Sequence, residues 1–130
     1  MVKKSLDDFR NLDVYQRMYR LMKVILTKVI PKLPKEEKYD LVDQIRRASK
    51  AAPALLAEAY PKRFQFRHWQ RYLTDTVGEC QEMVHHLSVV KDIYGEYINP
   101  DSIQKLIEEY IICCKQIMSL GKSFRNYHQS

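Results

Sequence analysis

The chain has 130 residues, of which 45% are hydrophobic and 29% charged, a balance that fits one core-forming domain over residues 1–130 and excludes a disordered polyelectrolyte. Three glycines and five prolines are too little turn chemistry for a sheet-rich fold, and no apolar run approaches the ~18 residues of a membrane span. The formal net charge is +6, and the start Met1-Val2-Lys3-Lys4 is followed by no apolar stretch, so a cytoplasmic protein with no membrane contact is expected.

A first helix is expected from about Asn11 to Val29. Leu12, Tyr15, Tyr19, Met22, Leu26 and Val29 step by three and four residues, the spacing of a bundle seam. Val14, Met18, Leu21 and Ile25 form a second stripe beside it, making a face wider than one intramolecular contact needs. Pro31 and Pro34 then enforce a connection. The second helix is predicted to start near Lys35, with Glu36 and Glu37 favoured in its first turn by the helix dipole. It carries Leu41, Ile45, Ala48, Ala52, Leu55 and Ala59 and stops around Tyr60 and Pro61. Pro53 cannot donate to the carbonyl of Ser49, so a kink is expected there without a chain reversal.

The third helix, about Phe66 to Tyr94, places Trp69, Leu73, Thr76, Cys80, Met83, Leu87, Val90 and Tyr94 at alternating steps of four and three. Gly78 lies inside it at a penalty of ~1 kcal/mol relative to alanine, which a close backbone neighbour would explain, and Gly95 ends it. Asn99-Pro100-Asp101-Ser102 reads as a turn leading into an N-cap. Ile103, Leu106, Tyr110, Cys113, Ile117, Leu120 and Phe124 then mark a fourth helix. Short connections set successive helices antiparallel, so the predicted fold is an all-α, up-down-up-down four-helix bundle.

Bundles of this shape can hold two metal ions with a glutamate from each of two helices and Glu-x-x-His from each of the other two. Glu82 and His85 supply one such pair, but no second exists and the first helix contains no glutamate. His85 and His86 are adjacent and diverge by about 100° on a helix, so they cannot grip one ion together. Cys80, Cys113 and Cys114 lack zinc-ligand spacing and sit at apolar helical positions, where a thiol acts as a small hydrophobe. No phosphate loop or nucleophile elbow is present. The expectation is a protein with no cofactor, no metal and no enzymatic activity.

Charge distribution is more informative. Between Arg46 and Arg71 lie seven basic residues, Arg46, Arg47, Lys50, Lys62, Arg63, Arg67 and Arg71, and one acid, Glu58. The whole excess of positive charge falls in this fifth of the chain. Arg46 and Lys50 are four apart on the second helix, and Arg63, Arg67 and Arg71 would align on the third if it begins early enough. Antiparallel packing would then bring them into a joint basic patch at the end around Pro61. Phe64, Phe66, His68, Trp69 and Tyr72 are interleaved with them. Cations beside stacking rings are a route to nucleic-acid binding, while the same rings are also natural core or interface anchors. An acidic protein partner docking on this end is the alternative.

Several segments also resemble a known family. Phe9-Arg10-Asn11-Leu12-Asp13-Val14-Tyr15-Gln16 is similar to the opening motif of the bacterial four-helix bundle proteins encoded by intervening sequences in large ribosomal RNA genes. Leu33-Pro34-Lys35-Glu36-Glu37-Lys38-Tyr39, Gln44-Ile45-Arg46-Arg47-Ala48, the Pro53, Ala54, Ala57, Glu58 run, and Tyr72-Leu73 with Gly78 and Glu82 extend the resemblance over nearly the whole chain. Leu55, Ala59 and Glu79 stand where that family usually has asparagine, glycine and serine. The accessory variability determinant proteins of diversity-generating retroelements are related to it. The resemblance implies a homopentameric barrel with a basic surface, binding RNA, DNA or an RNA–DNA hybrid and docking on a reverse transcriptase.

Overall fold

In the computed structural model, which describes residues 8–123, the periodic segments form four α-helices among those residues: α1 Asp13–Val24, α2 Leu41–Ala59, α3 Phe66–Ile93 and α4 Pro100–Ser123. Helix α1 is prolonged by a π-helical turn, Ile25–Val29, and a 3-10 turn, Ile30–Lys32. The helices follow one another around a square. Helix α3 packs most extensively on α4 and α2, and α1 closes the square against α2 and α4. Contacts run antiparallel. Lys91 of α3 donates to Gln104 of α4 at 2.8 Å, while Leu73 near the other end of α3 meets Gly121 near the end of α4.

The two stripes of α1 exchange the roles their sequence suggested except at Val29, which is buried as expected. Val14, Met18, Leu21 and Ile25 are the buried set, three of them with no exposed surface, whereas Tyr15, Met22 and Leu26 are half-buried and Tyr19 is 44% exposed. Only one face of a helix can meet a three-helix neighbourhood, and the stripe free of tyrosine hydroxyls takes it. The outer stripe lies across the helix from Arg17 and Arg20, which reach over to Glu109 of α4 at 2.9 and 2.8 Å.

Helix α2 begins six residues later than the predicted Lys35. Lys35–Glu37 forms a separate 3-10 turn, and the Glu37 carboxylate serves as an external cap, accepting from the backbone N–H of Leu41 at 3.3 Å and from the Tyr94 hydroxyl at 2.5 Å. The helix runs unbroken through Pro53, which is itself buried, and Leu56 takes the core position expected for Leu55. Helix α3 follows its predicted seam from Trp69 to Val90. In α4 the cap is Asn99, whose side chain accepts from the Asp101 N–H at 2.8 Å, with Pro100 in the first turn where a missing N–H is harmless. Phe124 lies outside the described residues.

The core comprises Met18, Leu21, Ile25, Ile45, Leu56, Trp69, Met83, Leu87, Ile103, Tyr110 and Ile117, all essentially without exposed surface. Close approach of helices occurs at Gly121, where an added Cβ would sit 3.2 Å from the Leu73 side chain. Gly78, expected to play that part, faces open space: nothing lies within 4 Å of its missing Cβ.

Candidate nucleic-acid interface

The seven cations separate into three groups. Arg47 is engaged at the bundle surface: its guanidinium spans Glu79 at 3.1 Å and Glu82, linking α2 to α3. Arg46 and Lys50 are exposed on α2, about 100° round the helix from Arg47 in the case of Arg46. Arg47 meets Glu79, twelve residues beyond Arg67, so Arg46 beside it stands well along α3 from the corner, and Lys50 lies one turn of α2 nearer to it.

The remaining four gather at the α2–α3 corner. A 3-10 turn, Tyr60–Lys62, ends α2, and extended backbone at Gln65 starts α3 at Phe66. Arg63 precedes that helix and does not align with Arg67 and Arg71 as expected. Instead it donates to the Tyr60 carbonyl at 2.8 Å and lies 4.2 Å from the Tyr60 ring and 4.5 Å from the Phe64 ring. Lys62 sits 4.8 Å from the Tyr72 ring and donates to its hydroxyl at 3.2 Å. Arg67 and Arg71 extend from the outer face of α3, exposed, with no ion pair among the described residues. Phe64 and Phe66 are 52% and 51% exposed, while Trp69 is fully buried and belongs to the core. The first turn of α3 holds no acid. Asp75, Glu79 and Glu82 follow further along, so the cationic surface has a boundary about one turn beyond Arg71.

One feature of this region carries no sequence signature. A groove of about 590 Å³ opens between α3 and α4 beside the corner, with Leu73, Val77, Ile117 and Met118 as apolar wall and Gln70, Thr74, Gln81 and Lys122 as polar lining. Gly78 and Gly121 also line it, and two glycines in facing helices were the available hint. Elsewhere, no group of three or more His, Cys, Asp or Glu side chains is placed to hold a metal ion among the described residues. No helix there is long and apolar enough to cross a membrane.

The fold and this surface define a four-helix bundle whose distinctive chemistry is an outward-facing cluster of cations and aromatic rings. Residues 10–119 match the family model described as 23S rRNA-intervening sequence protein, and the chain belongs to that family. No curated protein and no solved structure matches it.

Proposed function

We propose that this protein is a non-enzymatic, RNA-associated bundle that binds the phosphate backbone of RNA or of an RNA–DNA hybrid through Lys62, Arg63, Arg67 and Arg71. The carrying observation is the α2–α3 corner, where four basic residues and two half-exposed phenylalanines meet without an acid in the first turn of α3. The family's description, which names a ribosomal RNA intervening sequence, supports the same class of partner. Engaging about four phosphates per subunit gives a slope of log affinity on log salt of roughly −3 to −4, so a fourfold rise in salt weakens binding by about two orders of magnitude.

Filter binding over a salt series tests this. The double variant Arg67→Glu, Arg71→Glu should lose binding while keeping its helical spectrum, whereas Arg47→Met, which removes a charge already paired with Glu79 and Glu82, should leave the slope unchanged. Retention of no nucleic acid at moderate salt would overturn the reading and favour an acidic protein as the partner of this end.

The assembly proposed is a homopentameric barrel, supported by the family resemblance and by the half-exposed outer stripe of α1. The specific role proposed is accessory subunit of a retroelement reverse transcriptase. Co-purification of that polymerase with the tagged protein from its native cells would test the role, and its absence there would remove it.

A further inference from the structure

We propose that the groove between α3 and α4 receives an unpaired base of a single strand whose backbone crosses Arg67 and Arg71. This deepens the polyanion reading and rests on it. Arg67 precedes Gln70 by three residues and Arg71 precedes Thr74 by three, so each arginine stands one turn from a groove-lining side chain on the same face of α3. Lys122 occupies the opposite lip on α4, and no carboxylate lines the groove. A strand bound to the arginines therefore has cations on both sides of this opening.

The groove suits a base by shape and chemistry. Its volume of about 590 Å³ is within the range of small-molecule sites, and apolar walls with a few polar groups are what such sites offer. Phe66, Val77 and Met118 present the surface a base face needs, over a floor formed by the nearly buried Leu73 and Ile117. Met118 is 60% exposed and Phe66 51%, so both are accessible to a base from solvent. Gln70 and Gln81 each carry a donor and an acceptor, and Thr74 a hydroxyl. No hydrogen bond engages these three side chains among the described residues. Side-chain amides and hydroxyls of this kind read base edges. A duplex keeps its bases stacked inside and cannot use the groove, so the site discriminates for unpaired strands.

Gly78 provides a clean test because it lines the groove yet has open space around its missing Cβ. Gly78→Leu fills the groove from the solvent side without touching the core. Fluorescence anisotropy would compare an unstructured 12-nucleotide RNA, the same strand as DNA, and a 12-base-pair RNA duplex. The wild type should bind the single strands at least about tenfold more tightly than the duplex, in line with the stacking of one base on an aromatic ring, which Phe66 supplies at the groove. Gly78→Leu and Met118→Ala should lose that preference and keep duplex binding, whereas the Arg67→Glu, Arg71→Glu variant should lose both.

Equal loss on RNA and DNA strands assigns the recognition to the base; a loss confined to RNA adds the 2′-hydroxyl as a contact. A wild type that binds duplex as well as single strand, or a Gly78→Leu variant that keeps full single-strand preference, overturns the groove and leaves the polyanion reading standing. A change in oligomer mass on Gly78→Leu would mean that a second copy covers the groove, and overturns it also. Failure of the wild type to bind any of the three probes fells both.

Discussion

Tyr110 brings a hydroxyl to the centre of the bundle, where it is fully buried and has no hydrogen-bond partner among the described residues. Burial pushes its ionisation far upward, with Cys80 and Cys113 close by adding to the effect. A desolvated, unmatched hydroxyl opposes folding by about 1–3 kcal/mol. Tyr110→Phe keeps the ring and removes the penalty, so urea unfolding should show a gain of about 1 kcal/mol; a loss would mean that the hydroxyl has a partner. His86, on the α2 side of α3, is 8% exposed, and burial first, then neighbouring His85, lowers its pKa below 6.5, against opposing pulls from Glu82 and Asp40. The folded state thus resists a proton that the unfolded chain accepts. Stability is complete above about pH 6.5 and falls as acid drives the pH from there down through the folded-state pKa. His86→Gln should flatten that part of a melting-temperature profile, and an unchanged acid limb would assign the loss to other groups.

At the scale of helices, the two interior glycines make opposite predictions. Gly121 touches Leu73, so Gly121→Val should force α3 and α4 apart and cost about 1–3 kcal/mol. Gly78 faces open space, so Gly78→Ala should stabilise by about 1 kcal/mol through helix propensity alone; denaturant midpoints distinguish them. This contrast marks where sequence reading stops. Helix α3 is legible because its seam from Trp69 to Val90 is its buried face, and α4 follows its own seam except that Ile107 takes the buried place expected of Leu106. Helix α1 has two stripes, the first richer in tyrosine, and which one faces inward depends on where α2 and α4 stand. The start of α2 is ambiguous in sequence because Glu37 looks the same as a first-turn acid and as a cap outside the helix. The cationic segment was countable, yet its division was not. Whether Arg47 is free depends on Glu79 and Glu82, 32 and 35 residues away, and whether Arg63 aligns with Arg67 depends on where a turn ends.

For the whole molecule, the outer face of α1 is the surface that a lone bundle leaves underused. Replacing Tyr19 and Leu26 by lysine should lower the mass seen in light scattering to the 15.5 kDa of a single chain without loss of helicity, since neither residue belongs to the fully buried set. A wild type already at that mass would remove the oligomer. If the ring forms, its symmetry has a consequence for the corner at Lys62 to Arg71. Rotation about one axis repeats any surface feature at a single height, so every subunit offers its arginines on the same rim. A strand long enough to reach a second copy is then held by tethering as well as by contact, because its free portion stays concentrated near the next docking point. Residence time should therefore jump at a threshold of ligand length, set by the spacing of neighbouring subunits, and short oligonucleotides should dissociate quickly however well they match.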